Sequence, residues 1–184
     1  MQFTAQQGNH LSKQLVGQMA SYRHQVFVER LRWQLQTKDG LELDQFDRPD
    51  TVYVIAQDEQ DRVIGCSRLL PTTQPYLLSE VFPQLMHDLP MPNSPDVWEI
   101  SRFAAVDTSA NTPMPRFGQF SSPFAVSLME ASIACAIEHG ARLLVTVSPM
   151  GIERLLRKAG FDARRAGPPV VVNGCPLFAC LISI

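Results

Sequence analysis

Apolar positions in this chain repeat with two periods, and these predict which segments are helix and which are strand. Leu15, Met19, Tyr22 and Val26 recur at helical spacing within residues 11–31, which predicts a helix with a break near Ser21. Arg23, Phe27 and Arg30 form a second stripe at i, i+4 and i+7 that mixes charge with an aromatic ring, an odd face for a plain core helix. The period is lost over residues 34–49, which read as a loop with Asp39, Glu42, Asp44 and Asp47 around Phe46. Such an acidic cluster is either solvated surface or a rim for a cation. Residues 51–56 and 62–70 read as antiparallel strands joined by the polar turn 57–61, and alternation places Ile64, Cys66, Arg68 and Leu70 on one face. A short helix at 79–86 and a Pro-rich stretch at 89–95 lead into the next strand.

That strand, Val97-Trp98-Glu99-Ile100-Ser101-Arg102-Phe103, organises the rest. Alternation puts Val97, Glu99, Ser101 and Phe103 on one face, with Trp98, Ile100 and Arg102 on the other. A carboxylate and a guanidinium in an apolar strand are costly to bury without partners, so they read as a structural ion pair or as chemistry. Residues 107–123, with Pro113, Pro115 and Gly118, form a loop long enough for a lid. A helix follows at 124–138, closed by Gly140, then a buried strand at 143–147. Ser148 and Pro149 fit the N-cap and first position of another helix, whose apolar face is Ile152, Leu155, Leu156 and Ala159 and whose stop is Gly160. Strands at 161–166 and 177–184 complete an α/β (α+β) fold: a mixed, mostly antiparallel central sheet flanked by helices, as a single domain over residues 1–184.

Composition narrows the partners. A formal charge of -2 across 184 residues argues against nucleic acid. Residues 1–6 lack the charge-then-apolar order of a signal peptide, and no window approaches the roughly 18 apolar residues of a membrane span. A cytoplasmic protein without a stable membrane anchor is expected. Cys66, Cys135, Cys175 and Cys180 are scattered, which fits free thiols in a reducing compartment and gives no metal site.

Taken together, the motifs resemble the acyl-homoserine-lactone synthases, the LuxI-type autoinducer synthases of bacterial quorum sensing. The resemblance runs nearly end to end. It is carried by Arg23, Phe27 and Trp33; by Asp44 and Asp47 in Leu43-Asp44-Gln45-Phe46-Asp47; by Arg68 in Gly65-Cys66-Ser67-Arg68-Leu69-Leu70; and by Glu99, Ser101 and Arg102. It implies a fold similar to the GCN5-related N-acyltransferases. The glycine-rich pyrophosphate loop of those enzymes is missing, because Phe103-Ala104-Ala105-Val106-Asp107 follows Arg102.

The resemblance implies an acyltransferase with two substrates, S-adenosylmethionine and a fatty acyl thioester on acyl carrier protein, and no cofactor. It implies a catalytic set of Glu99, Arg102, Ser101 and Arg68, with Glu99 as base toward the α-amine and an Arg68–Glu99–Arg102 network around it. Arg23, Phe27, Trp33, Asp44, Asp47 and Phe103 would bind S-adenosylmethionine, although the aromatics also suit core packing. An acyl slot is expected between the 143–147 strand and the 124–138 helix, walled by Met129, Val145, Val147 and Leu155. Ser148 is either an acyl contact or simply the helix N-cap. Arg154, Arg157, Lys158 and Arg164, extended by Arg165, form either a docking face for the acidic carrier or a solvated helix face. A monomer is expected. The competing readings are an acyl-coenzyme A-dependent synthase or related N-acyltransferase, and a non-catalytic binding protein on the same fold.

Overall fold

The computed structural model describes residues 1–106, 108 and 122–184, so the loop expected at 107–123 lies almost wholly outside the described residues. The chain opens with strand β1 (Gln2–Gln7), which the pattern does not announce because Phe3 and Ala5 are its only apolar residues. Helix α1 (Lys13–Arg23) starts where the Ser12 hydroxyl accepts the Leu15 N–H at 3.1 Å. It does not break at Ser21. The backbone widens instead into a π-helical turn over His24–Arg30, closed by the Leu31 N–H donating to the Val26 carbonyl at 2.9 Å. Strands β2 (Val52–Gln57) and β3 (Val63–Pro71), helix α2 (Leu77–Val81) and a 3₁₀ turn at Pro83–Met86 follow, then β4 (Val97–Ala105).

Helix α3 (Pro123–Glu138) is capped by Ser122 and ends as its Gly140 implied. The Gly140 and Ala141 N–H groups donate to the Ile137 and Ala136 carbonyls at 2.9 and 3.0 Å, with Gly140 at φ +87°. Strand β5 (Leu143–Pro149) runs two residues beyond the expected end, so Ser148 and Pro149 belong to the strand. The N-cap of helix α4 (Ile152–Lys158) is Gly151, at φ +95°. Ser148 pairs with Phe178 instead, and the N-cap reading for it is wrong: the backbone stays extended until the left-handed Gly151 turns it. Strands β6 (Asp162–Arg165), β7 (Val170–Val172) and β8 (Cys175–Ser183) complete the chain.

Among the described residues the strands form one sheet in the order β1-β2-β3-β4-β5-β8-β6, with β7 paired to β8. Every pairing is antiparallel except β4 with β5. That parallel contact is short, from Val97 opposite Leu143 to Glu99 opposite Val145. Beyond Glu99 the two strands continue without pairing, so the sheet opens there.

One face of the sheet packs Val54, Leu69, Trp98, Ile100, Leu144 and Phe178 against α3 and α4. A Cβ on Gly65 would lie 2.7 Å from the Phe124 ring, so α3 approaches β3 only because that position lacks a side chain. The other face carries α1, the π turn, the loop after it and α2, over Tyr53, Ile55, Cys66, Leu70, Val145 and Leu181.

Candidate active site

The second face holds a buried ionic cluster of three guanidinium groups and three carboxylates. Arg23, from the last turn of α1, reaches Glu42 through Nε and grips both oxygens of Asp47 at 2.7 and 3.0 Å. Arg68 on β3 donates from Nη1 to Asp44 at 2.6 Å and lies 3.2 Å from Asp47. Arg102 on β4 donates from Nη2 to Glu42 at 2.9 Å and to Asp44 at 2.8 Å. The charges cancel, which offsets the cost of taking Arg23, Glu42 and Arg68 out of water. Burial alone would raise the Asp47 and Glu42 carboxyls, but Arg23 together with Arg68 at Asp47, and Arg23 with Arg102 at Glu42, hold both below the usual carboxylate range. The Tyr53 hydroxyl donates to Asp47 at 2.7 Å, and burial beside that charge pushes the phenol up. Asp44, 17% exposed, is the most open acid of the cluster.

Glu99 lives differently. It has no exposure, and no arginine among the described residues bonds to it. Its two oxygens accept the Leu77 and Leu78 N–H groups at 3.0 and 2.7 Å, in the first turn of α2. Burial pushes its carboxyl up to about 7, against the lowering from those N–H groups and from the charges of Arg68 and Arg102. It also occupies the last paired rung before β4 and β5 part. A carboxyl that titrates near neutrality is suited to take a proton from an amine.

The Arg68–Glu99–Arg102 network expected from the sequence is therefore corrected: the arginines serve the loop acids, and backbone N–H groups serve Glu99. The strand alternation is corrected as well. Arg102 has φ +52°, and the β3–β4 register slips between Cys66 and Arg68, so β4 carries a bulge there. The extra residue reverses the pattern beyond it. Arg102 joins the face of Glu99 and Ser101, whereas Phe103 packs with Trp98, Ile100 and Leu128 beneath α3, away from Phe27 and Trp33.

Phe27 and Trp33 do meet. Their rings stack at 4.9 Å and 19°, with Trp33 42% exposed over the buried Phe27 and the Arg102 guanidinium 5.8 Å from the Phe27 ring. Ser101 accepts from Arg68 Nε at 3.1 Å. The expected acyl slot is split by the sheet. Met129 and Leu155 pack in the layer of α3 and α4, with Ser148 on that side by alternation from Leu144; Val145 and Val147 pack on the opposite face with Phe46 and Leu70. Alternation along β5 forces this, because residues 144 and 145 cannot share a face.

Arg154, Arg157, Lys158 and Arg164 are exposed. Arg157 lies 3.3 Å from Glu153, which also binds Arg165 at 2.7 Å, so Arg154, Lys158 and Arg164 are the members without an ion pair among the described residues. The important residue that the sequence did not single out is Glu42, which ties Arg23 to Arg102. Its signal was present, as the first acid in Glu42-x-Asp44-x-x-Asp47, but nothing in that spacing separates it from Asp39, which takes no part in the cluster.

Known proteins match this chain along nearly its whole length. Residues 7–183 match the family described as autoinducer synthase. An acyl-homoserine-lactone synthase of Acinetobacter nosocomialis is 52% identical over 176 residues, covering 96% of each chain. The crystal structure of TofI in a ternary complex with an inhibitor and MTA superposes with a TM-score of 0.84 at 42% identity, covering all of this chain and 91% of that one. BjaI, a CoA-dependent acyl-homoserine lactone synthase solved with SAM and isopentyl-CoA, superposes with a TM-score of 0.85 at 30% identity, covering 99% and 82%. An acyl-CoA N-acyltransferase from Pseudomonas aeruginosa, at 15% identity and a TM-score of 0.65, shares the fold alone, over 100% of this chain and 99% of that one. On the strength of these matches, this chain belongs to the autoinducer synthase family, the acyltransferases that act as acyl-homoserine-lactone synthases.

Proposed function

We propose that the chain transfers a fatty acyl group from an acyl carrier protein thioester to the α-amine of S-adenosylmethionine, and that the acylated product closes to the homoserine lactone. The observation that carries this reading is Glu99, a fully buried carboxyl held by two backbone N–H groups and poised near neutrality. A free α-amine has a pKa of about 7.7–8.0, so a base near 7 has little work to do. In the first step the amine nitrogen bonds to the carbonyl carbon, the C–S bond breaks, Glu99 takes the amine proton, and the thiolate leaves to be protonated. In the second, the methionyl carboxylate bonds to Cγ, and the sulfonium departs with its electron pair as neutral methylthioadenosine. The sulfonium is its own leaving group, so neither step calls on a metal or redox cofactor.

The stacked Phe27–Trp33 pair supplies aromatic surface for the adenosyl group and sulfonium, an attraction worth about 0.5–2 kcal/mol. Asp44, at the open side of the cluster, suits the cationic amine on entry. The acyl chain leaves the carbonyl through the gap between β4 and β5. There it meets Val145 and Val147 on one side, and Met129, Ser148 and Leu155 on the other.

The carrier reading rests on the exposed Arg154, Arg157, Lys158 and Arg164, a basic face for an acidic protein. A coenzyme A donor is the second reading, favoured by the likeness to the CoA-dependent BjaI. Mass spectrometry of products from purified protein separates them. With S-adenosylmethionine and matched carrier and coenzyme A thioesters, lactone and methylthioadenosine should form in equal amounts, faster from the carrier and less so as salt rises. Product from neither donor would overturn the synthase reading; a coenzyme A preference would overturn the carrier. The double substitution R154E/K158E should raise KM for the carrier thioester about tenfold and leave the coenzyme A thioester unchanged.

A further inference from the structure

Arg68 is among the largest fully buried side chains of the described chain, and it does not use all of its nitrogens. Nε donates to Ser101 Oγ, and Nη1 serves Asp44 and Asp47. Nη2 is buried and has no hydrogen-bond partner among the described residues. Arg23, in the same cluster, bonds through Nε, Nη1 and Nη2. A buried donor left unpaired costs about 1–3 kcal/mol, and more when it is charged, so this geometry calls for an acceptor.

The planar fork of a guanidinium aims the Nε–H and one Nη2–H from the same edge. Nη2 therefore lies on the same side as Ser101, on the face of β4 that carries Glu99 one rung away; Arg68 stands opposite Ser101, and Leu70 opposite Glu99. Two substrate oxygens have the right chemistry: the methionyl carboxylate and the thioester carbonyl. Arg68 is already matched by Asp44 and Asp47, so a third full negative charge on it would meet those carboxylates. A neutral carbonyl meets no such repulsion on binding, and it gains charge only as the amine adds.

We propose that Arg68 Nη2 donates to the thioester carbonyl oxygen and to the oxyanion that forms from it. The inference rests on the acyl-transfer reading above. As the amine nitrogen bonds to the carbonyl carbon, the C=O π pair moves onto the oxygen under Nη2 and Glu99 takes the amine proton. The pair then returns and expels the thiolate. Electrostatic stabilisation of this kind by one donor is typically worth about 10²–10³ in kcat.

The test compares two unreactive carrier-arm analogues. One is a ketone with CH₂ in place of sulfur, and the other is a thioether with CH₂ in place of the carbonyl. Wild type should bind the ketone about tenfold more tightly or better, and R68K should bring the two within about twofold. Because the ratio is internal to each protein, a general loss of affinity cancels; R68Q serves in the same way if R68K does not fold. Equal binding by wild type, or a wild-type ratio in the variant, overturns the inference. So does a variant that loses instead its preference for S-adenosylmethionine over the decarboxylated analogue, which would assign Nη2 to the carboxylate. Binding of neither analogue to wild type would instead remove the acyl-donor reading itself.

Discussion

Asp47 and Glu99 are both buried carboxylates of one site, and their neighbours give them opposite properties. Asp47 sits in the fork of Arg23, beside Arg68 and under the Tyr53 hydroxyl, and is held ionised far below the usual range. Glu99 bonds to no cation among the described residues; its backbone N–H partners and the nearby charges of Arg68 and Arg102 do not cancel the loss of water, and it rises to about 7. The difference divides the labour. The loop acids and the three arginines make a charge-balanced frame, and Glu99 stands apart from it, raised toward neutrality by burial.

The comparison can be broken first at the frame. Arg23→Ala leaves Glu42 and Asp47 buried without their shared cation, and should destabilise the fold by about 3–5 kcal/mol in urea unfolding at neutral pH. A loss below about 1 kcal/mol would mean that the cluster is not holding the loop to the sheet.

The pH dependence of stability sharpens the contrast. Glu99 is raised in the folded chain from 4.5 to about 7, so its contribution is intact below 4.5 and is lost as pH rises to about 7, a fall of about 3 kcal/mol. Asp47 and Glu42 are lowered, so theirs is present above the ordinary carboxylate range and lost as pH falls below about 4. Urea midpoints from pH 3 to 8 should therefore decline at both ends, and Glu99→Gln should remove only the upper decline. Smallest of all, Tyr53→Phe removes one hydrogen bond to Asp47 and should cost about 1 kcal/mol with kcat near wild type.

Much of this was legible in the sequence, and the misses have physical causes. Residues 52–57 and 63–71 are short, mostly buried runs rich in β-formers on either side of a polar turn, and Gly140 and Gly160 marked two helix ends, because each position obeys one dominant rule. The site residues were legible as a motif: Arg23, Asp44, Asp47, Arg68 and Arg102 converge on one cluster, with Ser101 and Glu99 beside it. The bulge at Arg102 was not legible, since a non-glycine residue at positive φ leaves no mark in sequence, and one extra residue was enough to misplace Phe103 and Arg102. The π turn was hidden for a similar reason, because a helix widened over His24–Arg30 keeps the composition of an ordinary helix. The residues expected to wall an acyl slot fall on two faces because β5 was read as one wall when neighbouring residues along it face opposite ways.

The most direct test of the central claim is to measure S-adenosylmethionine binding and methylthioadenosine release side by side for wild type and Glu99→Gln. The expected result is binding within a few-fold of wild type and release slowed by at least about 10². Release by the variant within about tenfold of wild type would contradict the assignment of Glu99 as the base.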